Sequence, residues 1–416
     1  MSNSRDYDEP DFAYTEKERL CPRLRWCRNR VFDLLNRVEG GTIHVTDMAG
    51  SALLGSCKDK GAPPISLRVF DSQFYGSMVA GGSMAAAEGY MEGRWSCSDL
   101  AGLLALLTRN KAVLGDMESG MARFRQQMQR FAHWFRKNTV TGSKRNIEAH
   151  YDLSNDFFGL FLDSTMNYSS GIFADERCGL EEASIEKMER LCRKLNLQRE
   201  DHLLEIGTGW GAMAIHAAMH HGCRVTTTTI SEAQYEYAQA RIDAAGLSDR
   251  VTLLKRDYRT LTGSYDKLLS IEMIEAVGHA YLPTFFEKCG ELLKPGGRMA
   301  LQAITIADQE YDRYRKGTDF INRHVFPGGC LPSVTRMCEA MTGASDLRLS
   351  GLEDITPHYA RTLQAWRARF MERLDEVRAL GFSEAFIRMW EYYFCYCEAG
   401  FRGRTIGTVQ MELFKG

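Results

Sequence analysis

His202-Leu-Leu-Glu-Ile-Gly-Thr-Gly-Trp-Gly-Ala-Met-Ala-Ile-His-Ala-Ala-Met-His-His221 decides the reading of this chain. The run 202–206 is short, apolar and closed by glycine, the pattern of a buried strand. Ala212–His221 then reads as a helix, so the glycines occupy a strand-to-helix turn. Glycine there permits a sharp turn and close approach of the backbone to a ligand. The alternation continues downstream. Arg224–Ile230 is β-rich, Glu232–Ala245 is helical, and Val251–Leu254, Lys267–Ile271 and Arg298–Ile304 are further strands, with a helix over Tyr281–Leu293. Strand and helix alternating over roughly 100 residues predict a parallel, doubly wound α/β sheet. A long helix follows around Arg361–Leu380. Thr408–Leu413, where Val409, Met411 and Leu413 alternate with polar residues, reads as a half-buried terminal strand.

The turn also fits a dinucleotide fingerprint loosely, as Gly207-x-Gly209-x-x-Ala212. Two features favour S-adenosylmethionine instead. Glu205 is an acidic residue immediately before the turn, and Asp257-Tyr258 follows the third strand, where an adenine is often held. Leu293-Lys-Pro-Gly-Gly-Arg298 before a strand also resembles class I methyltransferases. The candidate cofactor residues are therefore Glu205, Gly207, Gly209, Gly211, Asp257 and Tyr258. The second strand ends Thr229-Ile-Ser-Glu-Ala-Gln234, so Thr229 and Gln234 are the groups for ribose hydroxyls, with Glu232 facing solvent. A glycine turn without a ligand and a nicotinamide or flavin site are the competing readings.

Outward from this core, the chain has 416 residues, with 44% hydrophobic and 25% charged. Those values suit a globular protein of two or three domains and exclude disordered, collagen-like and coiled-coil classes. Apolar stretches such as Leu100–Leu107 are far shorter than the roughly 20 residues of a membrane span. Met1–Tyr14 is polar and acidic, unlike a secretory signal. Twelve irregularly spaced cysteines point to reduced thiols and a cytoplasmic protein. The net charge of −2 hides an asymmetry. Met1–Arg145 carries 21 Lys+Arg against 16 Asp+Glu, a net of +5, and the remainder is −7. A basic first third suggests an anionic partner.

That first third reads in pieces. Residues 1–18 are polar. Leu20–Leu35 sets Arg23, Arg25, Arg28 and Arg30 among Leu24, Trp26, Val31, Phe32 and Leu35, a basic amphipathic helix. Roughly 38–110 looks like a small α+β domain, with β-rich runs from Ile43 to Phe74 and a helix at Ser98–Thr108. Residues 121–137 repeat the basic amphipathic pattern, with Phe124, Met128, Phe131 and Phe135 at helical spacing. Such a helix either lies on an anionic membrane or packs its apolar face as a linker. The expected domains are 1–120, a basic linker helix over 121–145, and 146–416.

Several further motifs occur in order: His150-Tyr-Asp-Leu-Ser-Asn-Asp-Phe-Phe158, Asn167-Tyr-Ser-Ser-Gly-Ile-Phe173, Glu272-Met-Ile-Glu-Ala-Val-Gly278, Phe326-Pro-Gly-Gly-Cys-Leu-Pro-Ser333, Trp390-Glu-Tyr-Tyr-Phe394 and Gly400-Phe-Arg402. Together they resemble the cyclopropane fatty acid synthase family from about Asn146 to the C-terminus, and the N-terminal third is similar to its small lipid-associated domain. The resemblance implies a class I methyltransferase fold, a Rossmann-like doubly wound sheet with an antiparallel terminal strand, behind an α+β lipid-associated domain. It implies methyl transfer from S-adenosylmethionine to the double bond of an unsaturated, anionic membrane phospholipid. It also implies deprotonation by a bound bicarbonate ion in a site closed to water. Peripheral contact with the inner membrane face, through the basic N-terminal region, and a homodimer go with this reading; nucleic acid and metal do not.

Carried over motif by motif, Glu275 matches the family's glutamate, Tyr359 its tyrosine, and Ile304 the position whose backbone contacts the ion. Tyr168 and Ser169 match residues beside the cofactor's carboxylate. Four positions depart from the best-known members. Ser170 stands where they have Cys, Gln302 where they have His, Thr305 where they have Gly, and Ala276 where many have His. Ser and Gln still hydrogen-bond an anion, but neither is a base near neutral pH, as His can be. Proton loss from a neighbouring chain carbon would give a methyl-branched or methylene product instead. A retained fold with only lipid binding is the non-enzymatic alternative. Structural readings stay open for Glu275 as a helix cap and Tyr359 as a core tyrosine. Arg315, Lys316 and Arg323 suit a headgroup or a solvated face.

Overall fold

The computed structural model describes residues 20–59, 61–118 and 154–416. The expected linker helix and the start of the His150 motif lie outside them, as do residues 1–18. The chain divides into two compact units: Met1–Gln129 with Gly381–Gly403, and Arg130–Leu380 with Arg404–Gly416.

In the first unit, β1 (Gly41–Asp47) and β2 (Gly50–Ser56) form an antiparallel hairpin. β3 (Ile65–Val69) runs parallel to β1, and β4 (Trp95–Cys97) is antiparallel to β3. Alternation puts Ile43, Val45 and Asp47 on the buried face of β1. Buried Asp47 is satisfied by Arg28 Nε at 2.6 Å and Tyr75 Oη at 2.5 Å. Helix Pro22–Asn36 buries Cys27, Val31, Leu34 and Leu35, with Arg23, Arg25 and Arg30 exposed. These helices and strands give the first unit a mixed α and β content.

One expectation needs correction. The stretch 146–416 is not a single unit, because helix Glu384–Arg402 belongs with the first. Its stripe of Ile387, Trp390, Phe394 and Phe401 is buried there. Tyr90 Oη donates to Glu391 at 2.5 Å, and the Tyr90 and Tyr392 rings lie 5.8 Å apart. Sequence order placed this helix with its neighbours; its apolar stripe is covered elsewhere.

The second unit holds seven strands: β5 (His202–Ile206), β6 (Arg224–Thr229), β7 (Val251–Lys255), β8 (Tyr265–Ile271), β9 (Leu293–Ile306), β10 (Leu347–Asp354) and β11 (Ile406–Lys415). Their order is β10-β11-β9-β8-β5-β6-β7. The pairs β9-β8, β8-β5, β5-β6 and β6-β7 are parallel, and β11 is antiparallel to both β9 and β10. Both faces are covered. Leu204, Leu268, Met299 and Leu301 join one core, and Leu203, Leu269 and Ala300 join the other.

The chain leaves β5 for β6 on one side and later returns to place β8 on the other. That is a topological switch point, and its carboxyl-end crevice is where such sheets bind ligands. The expected strands and helices fall within a few residues of those observed. β10 was not anticipated, because as an edge strand it buries only Leu347 and its pattern does not alternate. The helix expected over Arg361–Leu380 begins at Thr356 and breaks at Arg373.

Candidate active site

The turn after β5 is built by glycines. Gly207, Gly209 and Gly211 take φ of +100°, +53° and +88°, a region unfavourable to side chains. The Gly207 and Thr208 amides both donate to Thr228 O, at 3.2 and 3.0 Å. A Cβ on Gly211 would lie 3.2 Å from that of Ala238, whereas one on Gly209 would meet nothing within 4 Å. Thr208 Oγ1 is buried without a hydrogen-bond partner. The turn therefore presents an open face and an unsatisfied hydroxyl, which a ligand can complete.

The other expected cofactor residues surround this crevice. Glu205 is buried, accepts from Thr227 Oγ1 at 2.6 Å, and is pushed up to about 7 by burial. Thr229 Oγ1 donates to Gln234 Oε1 at 2.9 Å. Burial alone would raise Asp257, but the Arg259 guanidinium, 2.6 Å from Oδ2, holds its carboxyl below the usual range. The Tyr258 ring packs edge-on against Phe285. Glu232 is exposed and pairs with Lys255.

A pair of half-buried glutamates, Glu272 and Glu275, stands beside the turn. Glu272 follows β8 directly, and a Cβ on Gly207 would lie 3.3 Å from the neighbouring Met273. Glu272 Oε1 accepts from Ser170 N at 3.0 Å and Gln302 Nε2 at 2.8 Å, and its Oε2 accepts from Tyr359 Oη at 2.7 Å. Glu275 Oε1 accepts from Ile304 N at 2.5 Å, and its Oε2 is buried without a partner. Burial first, then the Glu272 charge, push Glu275 up to about 8. Burial also raises Glu272, against the pull of its three donors and of Lys187. Gln302 accepts from Gln410 Nε2 at 2.9 Å. The Ser170 hydroxyl donates to Gly171 O at 3.0 Å.

Aromatic side chains adjoin the pair. Tyr168 lies 5.2 Å from Trp366 and 6.3 Å from Phe326, and Trp366 lies 6.2 Å edge-on from Tyr359. Ser169 Oγ accepts from Lys187 Nζ at 3.0 Å, and Asn167 Oδ1 accepts from it at 2.7 Å. Lys187 is fully buried. Burial pushes it down to about 8, opposed by the charges of Glu272, Asp163 and Glu205.

A sequence profile described as mycolic acid cyclopropane synthetase matches residues 138–411. The chain belongs to this family. It is 38% identical to tuberculostearic acid methyltransferase UfaA1 of Mycobacterium tuberculosis, over 80% of this chain and 79% of that protein. It is 32% identical to the cyclopropane-fatty-acyl-phospholipid synthase of Escherichia coli, over 86% of this chain and 89% of that protein. Among solved structures, mycolic acid cyclopropane synthase CmaA1 complexed with SAH and CTAB aligns with a TM-score of 0.62 at 31% identity. That alignment covers 65% of this chain and 98% of CmaA1. As a member of the family, the chain is an S-adenosylmethionine-dependent methyltransferase with the class I fold. The open glycine turn with its unsatisfied Thr208 hydroxyl fits that cofactor.

All five residues expected to do the chemistry, Ser170, Glu275, Gln302, Ile304 and Tyr359, converge in this one place. Glu275 bonds the Ile304 amide rather than capping a helix, whereas Tyr359 is a buried tyrosine whose hydroxyl is satisfied by Glu272, which leaves its structural reading open. Arg315 Nε donates to Asp312 Oδ1 at 2.8 Å on the surface. Sequence reasoning passed over two residues. Glu272 was legible as a second carboxylate three positions before Glu275. Lys187 was legible as a lysine on the apolar face of helix Leu180–Leu195, between Ala183 and Leu191. Elsewhere in this unit, Glu189 Oε2 accepts from His216 and His221 at 3.2 and 3.1 Å, with Cys192 beside them.

Proposed function

We propose that this enzyme transfers a methyl group to the double bond of an unsaturated phospholipid acyl chain and closes a cyclopropane ring. The observation that carries the reading is a half-buried pair of glutamates, Glu272 and Glu275, beside the glycine turn and adjoined by aromatic rings. When bound, S-adenosylmethionine supplies an electrophilic sulfonium methyl. An alkene is a weak nucleophile, so the reaction develops positive charge on carbon. The faces of Tyr168 and Trp366 stabilise such a charge. The buried setting keeps away water that would quench it, and a carboxylate can take the proton that must leave.

A second reading has its own support. One relative carries the name tuberculostearic acid methyltransferase, and the Escherichia coli relative is a cyclopropane synthase. Removal of the proton from a neighbouring chain carbon would give a methyl-branched or methylene chain. The deciding experiment incubates the enzyme with S-adenosylmethionine and anionic vesicles of unsaturated phosphatidylglycerol. The two products are isomers, so NMR is the readout. High-field ring protons are expected, and olefinic protons in the methylated product would refute the cyclopropane assignment.

Access to the substrate fits contact with a membrane surface. Helix Pro22–Asn36 exposes Arg23, Trp26 and Arg30 at spacings of three and four, along one flank of its buried stripe. Basic residues with an exposed tryptophan suit an anionic lipid interface. No helix among the described residues is long and apolar enough to cross a membrane.

A further inference from the structure

We propose that the carboxylate of Glu272 is the base of this reaction, standing where a bound bicarbonate ion would otherwise be needed. The proposal rests on the acyl-chain methylation read above. The residues expected to hold bicarbonate do not fit it, because their donors are already spent. Ser170 N, Gln302 Nε2 and Tyr359 Oη all point to Glu272, at 3.0, 2.8 and 2.7 Å, and Ile304 N points to Glu275. Gln302 cannot turn its amide away without losing Gln410 Nε2, which donates to its Oε1 at 2.9 Å. A separate bicarbonate would also add an anion beside the Glu272 carboxylate, an arrangement that desolvation and like charge both oppose.

The backbone supports the same assignment. Glu272 takes φ +48°, a left-handed conformation that costs a residue with a side chain about 1–2 kcal/mol. Glycine would sit there without strain. Strain of this kind persists where the surroundings over-determine it, and it clusters at functional sites. Here three donors and the neighbouring strand fix the side chain, and Glu272 N donates to Gln302 O at 2.8 Å.

The two carboxylates differ in role. Glu275 has one donor and a buried, unpartnered Oε2, so it keeps its proton near neutral pH. Burial raises Glu272 as well, but three donors and the charge of Lys187 oppose that push, so of the two side chains it is the better suited to carry the negative charge. A carboxylate offers about four lone-pair positions. Three are filled, and the fourth, on Oε2, is available to a proton. In the reaction, a carbon–carbon bond forms between the transferred methyl and one alkene carbon as the sulfur–carbon bond breaks. Positive charge then lies on the other alkene carbon. Glu272 takes a proton from the new methyl, and the released C–H electron pair closes the third side of the ring. The resulting carboxylic acid returns its proton to water after the product leaves.

The test measures S-adenosylhomocysteine release on unsaturated phosphatidylglycerol vesicles in CO2-free buffer, with and without added sodium bicarbonate. The wild type is expected to turn over equally in both. Glu272→Gln is expected to lose on the order of 100-fold or more in rate while keeping its S-adenosylmethionine affinity. Glu272→Gly relieves the left-handed strain, so its melting temperature should hold. It should be inactive alone and regain turnover when bicarbonate or formate fills the vacated cradle. A wild type that stalls without bicarbonate would overturn the proposal. So would a Glu272→Gln variant within a few-fold of wild type, or a folded Glu272→Gly variant that neither anion rescues. A wild type that leaves unsaturated lipid unchanged would instead reject the acyl-chain reading on which the proposal stands.

Discussion

Lys187→Met tests the electrostatic design of the site from behind. Lys187 Nζ is fully buried, donates to Asn167 and Ser169, and faces the charges of Glu272, Asp163 and Glu205. At pH 7 an ammonium pushed down to about 8 is still mostly charged. Methionine keeps the length of the side chain but leaves those carboxylates without their buried cation. Removing one partner of a buried ionic set costs about 3–5 kcal/mol. The better burial of a thioether returns about 1 kcal/mol, so the net loss is about 2–4 kcal/mol. For a unit of this size, at about 2–4 °C per kcal/mol, the melting temperature should fall by about 4–16 °C. A second readout is specific to charge. Without the cation the protonated forms of Glu205 and Glu272 are favoured, so the acidic limb of the turnover profile should move to higher pH. Calorimetry and a pH–rate series on lipid vesicles measure both. A melting temperature within about 2 °C of wild type, together with an unmoved acidic limb, would refute the assignment of Lys187 as counter-charge.

Gly209→Val places a branched Cβ on the open side of the turn at φ +53°. Cofactor affinity by calorimetric titration should weaken at least about tenfold, with about 1–3 kcal/mol of strain; unchanged affinity would move the cofactor away from this turn. Glu275 and Glu205 have folded-state values raised to about 8 and about 7. Each contributes stability that is fully present below the usual carboxylate value and is lost as pH rises through the raised one. Wild-type stability should therefore decline from about pH 5 to pH 8, and Glu275→Gln, with cofactor binding intact, should flatten that decline in a melting series. Reversing Arg23 and Arg30 to Glu should weaken co-sedimentation with anionic vesicles about tenfold or more, at about 1 kcal/mol per basic residue near the surface. Equal sedimentation would remove helix Pro22–Asn36 from the membrane contact.

Much of the catalytic unit was legible because its signals are local. The alternation of short apolar runs with helical periods marked the central strands, and left-handed backbone at the turn after β5 needs glycine. The motif order carried Ser170, Glu275, Gln302, Ile304 and Tyr359 to one place, since each sits at the end of an element or in a loop that the sheet brings together. The return of helix Glu384–Arg402 to the first unit was not legible. An amphipathic stripe states that it will be covered, but not by what.

The sequence by itself determined the sheet, the cofactor turn and the residue types around the reacting centre, because strand period, glycine spacing and motif order depend on neighbours along the chain. Only the tertiary structure decided what those residues do to one another. Glu272 is an ordinary carboxylate in the sequence. It is set apart from Glu275 because Ser170, Gln302 and Tyr359, 102, 30 and 87 positions away, spend their donors on it. Proton affinity in a buried site depends on desolvation and on which donors and charges lie within a few ångströms, and those distances exist only once the chain has folded.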